Sequence, residues 1–469
     1  MGMRGEWFGS QFRMKLRPWW TNGALIVLGL AMLALTCILT MDFDHYVLGF
    51  STVSMAQASL YLASVGVILA GRVNRWTLGI ILAFAVAFRL VCLFPVPHLS
   101  SDIYRYVWDG MVQHAGLNPY SYVPADDHLR FLRDSAIFPN INRSDYAHTI
   151  YPPGAQIIFY GVTWISASVV AMKVAMLGFE CLLLGALVRL MTAMGIPRER
   201  SLLYAWNPLL IWEVGSSGHL DAAAMAFIAL ALLFRFRKQP VATGLALGMA
   251  VMIKLYPIIL LPALLRKREW RMPAALLSVV VLGYALYSRV GLRVFGFLGG
   301  YAHEEGLQSG ERYFLLELAR KIPGMAGLPV YGYFIFLAIC FCGLLWWTWN
   351  SSEKTDRSFL TCAFAIAFAL MLLYSPHYPW YVVWLIPFAA LIPNLPAFTY
   401  LMGFFYLFTT SLAVPGPRMF LLNKWLYGAV FAITVACLVW RSPLIGDRAN
   451  RLWRALQLSS DAAEPLREP

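Results

Sequence analysis

Apolar stretches of about 15 to 24 residues recur along this chain, and they restrict its fold more than any other feature. They run Gly23–Thr40, Val53–Ala70, Leu78–Phe94, Ser168–Met191, Ala274–Val290, Leu328–Trp349 and Leu426–Trp440. A helix needs about 20 mostly apolar residues to cross the hydrocarbon core of a bilayer. In lipid the backbone must satisfy its own hydrogen bonds, so each run reads as a helix. Between Tyr204 and Leu265, and between Phe359 and Val414, further apolar stretches are broken by Pro, Gly and His and read as shorter or interrupted helices. The total expected is about 12–14 spans. With 60% hydrophobic and 13% charged residues among 469, a soluble domain is excluded. The first run lacks a small-residue cleavage site and is followed by more spans, so it reads as a span rather than a cleaved signal.

The net charge of +13 then reads as topology, because Lys and Arg mark cytoplasmic loops. Arg4, Arg13, Lys15 and Arg17 precede the first span and Arg72 and Arg75 follow the second. The same sign marks Arg198/Arg200, Arg235/Arg237/Lys238, Arg266/Lys267/Arg268/Arg271, Lys354/Arg357 and the tail from Arg441 to Arg454. Arg418 and Lys424 are the exception, falling outside. Both chain ends are therefore expected in the cytoplasm, with segment 1–22 before the membrane module, 23–440 the module itself, and 441–469 a basic tail. A nucleic-acid partner is excluded, since no soluble domain gathers these charges. The same pattern puts 95–153 outside, and all eight histidines fall in outward loops or near outward helix ends. Polar function is thus concentrated on the outer face.

The seven cysteines lie in apolar runs without CxxC or His spacing, so no metal site and no cofactor are expected. Neither a P-loop nor a GxGxxG motif after a strand is present.

The outward loop opens HLSSDIYRYVWDGMVQHAGLNPYSY. Ser100 or Ser101 can cap a helix whose first turn holds Asp102, and Gly116 with Asn118-Pro119 ends it. Ile103, Val107 and Met111 recur at four-residue spacing among Tyr104, Tyr106 and Trp108, the pattern of an amphipathic helix lying in the interface. Asp102 then stands at the outer boundary. A carboxylate there suits a general base that takes a hydroxyl proton during sugar transfer. It equally suits a residue that favours its helix N-terminus or pairs with Arg105.

SDIYRYVWDG…GLNPY, YPPGAQ (Tyr151–Gln156), NPLLIWEVGSSGHLDA (Asn207–Ala222), KLYP (Lys254–Pro257) and SPHYPWYVVWLIPF (Ser375–Phe388) follow one another in this order. Together they resemble membrane glycosyltransferases of the GT-C fold, in particular the polyprenyl-phosphate-mannose-dependent α-mannosyltransferases of prokaryotes. The resemblance implies an all-α polytopic bundle with an outward juxtamembrane helix, a plasma (inner) membrane location, and an active site on the periplasmic or extracellular side. It implies inverting transfer of a hexose, most simply mannose, from a polyprenyl-phosphate donor to a glycan or glycolipid acceptor. The aspartate matching the family's catalytic base is Asp102, with Asp109 the structural carboxylate beside it. Three spans precede this loop where many members have one; the odd count keeps it outward.

The remaining candidates are donor-binding: His219, Asp221, Lys254, Tyr256, Arg312, His377 and Tyr381. His219 and Asp221 follow Gly215-Ser216-Ser217-Gly218, read as a flexible approach to a helix start. They would contact sugar or phosphate, or else cap the helix and satisfy a carbonyl. Lys254, before a Tyr-Pro break, can hold a phosphate as a point charge or snorkel to the interface. Arg312 can clamp a phosphate or pair with Glu311 or another nearby acid. His377 lies between two prolines beside Tyr378, Trp380 and Tyr381, where imidazole can meet a phosphate oxygen and the aromatics default to a membrane belt. Arg89, inside the third span, needs a partner, a lipid phosphate among the candidates. Lys173 and Glu180, two turns apart, read as a structural pair or polar lining. Two rival functions share this architecture: a flippase or transporter of lipid-linked sugars, whose charges would line a path to both faces, and a glycan ligase or polymerase, which would not need Asp102.

Overall fold

The computed structural model describes residues 17–41, 50–405 and 417–440. The expected N-terminal segment, the basic tail and His45 lie wholly or largely outside these residues. Within them every regular element is helical. Labelling the helices of nine residues or more, α1 is Pro18–Met41, α2 Phe50–Ala70, α3 Thr77–Leu93, α4 Asp102–His114, α5 Pro153–Ile165, α6 Val169–Ala193 and α7 Asp221–Phe236. The series continues with α8 Pro240–Ile253, α9 Arg271–Tyr287, α10 Val330–Ser351, α11 Ser358–Tyr374, α12 Leu395–Gly403 and α13 Pro417–Trp440.

Each long apolar run of the sequence appears as a helix, within about five residues of its expected bounds except that α13 begins at Pro417, nine residues before the run expected from Leu426. By length and composition, six helices among the described residues can cross a membrane, and four shorter apolar ones accompany them. The expected 12–14 spans therefore include segments too short or too broken to cross alone. The reason is visible in burial. α10 is only 6% buried over its apolar window and shows Tyr331, Ile335, Ile339 and Trp346 outward, as a helix bathed in lipid must. α7, by contrast, is shorter, and nearly every residue from Asp221 to Leu233 is buried. A helix surrounded by protein can break, because neighbouring groups satisfy its freed backbone.

The hairpin α7–α8 is the centre of the molecule, packed on α6 to one side and α9 to the other. α1, α2 and α3 pack together as a second group. α4 lies on α5 and α6. Its start is the one expected: Ser100 Oγ accepts the Asp102 N–H at 3.3 Å. At its end Gly116 adopts φ +75°, and the Leu117 N–H reaches back to the Val112 carbonyl at 3.2 Å, a left-handed stop that suits glycine. Gly110 lets α4 approach α5, where a Cβ would collide with Thr163.

α4 does not present an open aromatic face as its pattern suggested. Ile103 through Gly110 are all buried, because α5 and segment 127–140 enclose the helix. Tyr106 stacks on Phe159 at 4.7 Å and Trp108 packs on Phe138 at 5.5 Å, so these aromatics are core rather than belt.

Candidate functional site

A cavity of about 450 Å³ lies where the start of α4, the loop 142–152, the end of α8 and the segment 378–381 meet. Asp102, Lys254, Tyr256 and Tyr381 all line it. Asp102 and Tyr381, 279 positions apart in the chain, are thus gathered around one space, as a polar site in a bundle requires.

Asp102 opens α4 and is partly exposed to this cavity. Its Oδ1 accepts a hydrogen bond from Asn142 Nδ2 at 3.0 Å. The alternative pairing with Arg105 is not made: Arg105 Nε donates instead to Asp109 Oδ1 at 2.8 Å. Asp109 is buried and also accepts from Gln156 Nε2 at 2.9 Å, which makes it the structural carboxylate of the two.

Across the cavity Lys254 terminates α8 in extended backbone. Its ammonium meets Asp221 Oδ2 at 2.6 Å, and the Lys254 side chain remains 17% exposed while Asp221 is fully buried. Tyr256 Oη lies 3.5 Å from Asp221 Oδ1. Asp221 is therefore one layer behind the surface, holding the lysine toward the cavity rather than meeting a ligand itself.

Two more candidates, His219 and Arg312, stand in the wall's second layer. His219 is buried and stacks on Trp380 at 4.7 Å; its Nε2 is 3.2 Å from Glu213 Oε2, without hydrogen-bond alignment. The Gly-Ser-Ser-Gly approach is a correction: it is not a flexible loop but the buried end of a π-helical turn, 211–216, closed by Gly218 at φ +67°. No side-chain cap starts α7 either. Arg312 is buried and pairs with Glu305, not Glu311, with its guanidinium over the rings of Tyr374 and Tyr381. Tyr381 in turn contacts Tyr301 through the two hydroxyls. His377 lies outside the cavity lining. Burial and then the Arg312 charge push its pKa down to about 3, so it is a neutral imidazole and supplies no positive charge.

Two expectations inside the bundle are corrected. Arg89 is not left for a lipid phosphate: its Nη2 and Nε meet the two oxygens of Glu180 at 2.5 and 3.1 Å. Lys173 does not pair with Glu180; it donates to the carbonyls of Cys92 and Pro95 at 3.1 and 2.7 Å. An arginine and a glutamate at membrane depth find each other because an unpaired charge there costs far more.

Sequence reasoning passed over Asn142, Arg143, His148 and Glu305, all of which line the cavity. Arg143 pairs with Glu304 at 2.7 Å near the surface. His148 has a buried Nδ1 without a hydrogen-bond partner, and burial, then Arg105 and Arg293, lower its pKa. These residues sit in irregular backbone, where no periodicity singles them out.

The fold and this cavity define a polytopic helical membrane protein with a carboxylate and a held ammonium facing one polar chamber. Comparison with known families sharpens the class. The model of the alpha-(1->6)-mannopyranosyltransferase N-terminal domain matches residues 17–267, and the chain belongs to that family. The matched region contains Asp102, Asp221, Lys254 and Tyr256, but neither Arg312 nor Tyr381. Alpha-(1->6)-mannopyranosyltransferase A of Mycobacterium tuberculosis (strain ATCC 25618 / H37Rv) is 24% identical over 361 residues, covering 69% of this chain and 66% of that protein. The chain thus spans just under two thirds of that relative's length. The crystal structure of ArnT from Cupriavidus metallidurans, bound to undecaprenyl phosphate, covers 78% of this chain and 65% of its own. Its identity is 18% and its TM-score 0.42.

Proposed function

We propose that this protein transfers a hexose, mannose first among them, from a polyprenyl-phosphate carrier to an acceptor hydroxyl at the outer face of the membrane. The observation that carries this reading is that Asp102 and Lys254 face one cavity, in a chain that belongs to a mannosyltransferase family. Asp102 takes the acceptor proton as the hydroxyl oxygen attacks the anomeric carbon. The bond from that carbon to the phosphate oxygen breaks, and the ammonium of Lys254 with the hydroxyl of Tyr256 stabilises the departing anion. A single displacement inverts the centre, so a β-linked donor gives an α-linked product. Asp221 contributes by fixing the lysine; it also offsets part of the charge, so a second negative group is drawn to Lys254 less strongly than to a bare ammonium.

Purified protein supplied with polyprenyl-phosphate mannose and a mannoside acceptor is expected to release polyprenyl phosphate in step with product. Transfer from GDP-mannose with no lipid carrier present would refute the donor assignment. Lys254→Ala is expected to slow carrier release about tenfold to a hundredfold, the worth of one charge-assisted hydrogen bond of about 1.5–3 kcal/mol. His377→Ala, off the cavity and neutral, is expected to have the smaller effect; equal losses in both variants would move the phosphate to the His377 side.

The outward placement has its own test. Ser135 is exposed in the loop that follows α4. A cysteine at this position, in a cysteine-free background, should react with an impermeant thiol reagent on intact cells once any outer membrane is permeabilised. Labelling seen only after lysis of the inner membrane would reverse the topology.

A further inference from the structure

The α7–α8 hairpin carries a second polar feature at the end away from the cavity. α7 has 16 residues, so at 1.5 Å per residue its two ends are about 24 Å apart. Asp221 stands at the cavity end and Arg235 at the other, where a shallow groove is bounded by Arg235, Lys238, Gln239, Thr243, Arg266 and Glu269.

Arg235 is the unusual member. Only 9% of it is exposed, it lines the groove, and its Nε is buried with no hydrogen-bond partner. Its guanidinium rests over the Phe359 ring at 5.1 Å, which covers one face without neutralising the charge. Glu353 and Asp356 act on the Arg235 charge only from a distance, without an ion pair, and stand closer to the other cations. Arg266 is 3.8 Å from Glu353, and Lys238 is 3.9 Å from Asp356. Glu269 is the one carboxylate among the lining residues, against the three cations Arg235, Lys238 and Arg266. The groove also receives the start of α8, which opens at Pro240 without a side-chain cap. The first amides of a helix have no partner within it and point outward as donors. A buried cation and a free helix N-terminus thus meet at one opening.

We propose that this groove binds the phosphate of an anionic phospholipid headgroup in the leaflet opposite the cavity. Its enclosed part is only about 10 Å³, room for roughly one water. The ligand is therefore a phosphate edge seated in the mouth, approached from the membrane boundary, and not a buried small molecule. The flanking Lys267 and Arg268 lie on the loop that carries Arg266, Arg271 opens α9 after it, and together they favour an anionic over a zwitterionic surface.

The test is lipid retention by the full chain, purified in nanodiscs of phosphatidylglycerol and phosphatidylcholine and read by native mass spectrometry. The wild type should retain phosphatidylglycerol preferentially, and Arg235→Gln should weaken that retention about tenfold or more. Lys238→Gln with Arg266→Gln, at an exposed and a half-buried position, carries the same test should Arg235→Gln fail to fold; retention at the wild-type level in this pair would overturn the proposal. Equal retention of the two lipids by the wild type would overturn it too. Displacement of the lipid by millimolar inorganic phosphate would reassign the groove to soluble phosphate and so reject a lipid ligand.

Discussion

Asp102→Asn should insert and fold like the wild type yet transfer sugar about two to four orders of magnitude more slowly, the range expected for loss of a positioned general base. The substitution is nearly isosteric, and an asparagine Oδ1 can still accept the hydrogen bond that Asn142 Nδ2 gives to Asp102 at 3.0 Å. The start of α4 rests on the backbone bond to Ser100 Oγ, which does not depend on the carboxylate. What disappears is the capacity to take a proton. The measurement is turnover per folded molecule, with folding judged by monodispersity and melting in detergent. Turnover near the wild-type level in a folded Asp102→Asn protein would remove Asp102 from the chemistry. Asp109→Asn is the comparison, and geometry says how it differs. Asp109 is buried and holds Arg105 and Gln156, so its replacement should show first in melting and only secondarily in turnover.

Glu180→Gln is expected to destabilise the bundle by about 3–5 kcal/mol, the cost of stranding one half of a buried ion pair. Arg89 and Glu180 are 6% and 7% exposed. They join α3 to α6, and Arg89 Nη1 also donates to the Ala205 carbonyl at 2.5 Å, so three segments converge on one guanidinium. Removing both charges should be far milder, because no ion is left desolvated: Arg89→Met with Glu180→Leu should melt closer to the wild type than Glu180→Gln alone. A double variant less stable than the single would show that the pair contributes through packing rather than charge.

Different parts of this molecule were legible to different degrees, for physical reasons. Long apolar runs announce helices because lipid leaves the backbone no other way to satisfy itself. Asp102 was legible because it stands at a helix start among turn and capping residues, which act locally. The stop at Gly116 was local too, and held. The direction of α4's aromatics was not local: Tyr106 and Trp108 fit an interface as well as a core, and only the segment folded over them decides for burial. The π-helical turn at 211–216 was equally hidden, since its Gly and Ser residues read as loop when the surrounding helices are unknown.

What the sequence determined by itself was the membrane class, the helix positions, the place of Asp102 at a helix start, and the likeness that family comparison bears out. Most of the pairing was settled by tertiary structure. Glu180 took Arg89 rather than Lys173, Arg105 took Asp109 rather than Asp102, Arg312 took Glu305, and Asp221 drew Lys254 to the cavity wall. Charges inside a bundle choose partners by distance in three dimensions. Arg105 keeps a partner four residues along its own helix, whereas Arg89 and Lys254 find theirs on neighbouring helices, where desolvation makes an unpaired charge intolerable.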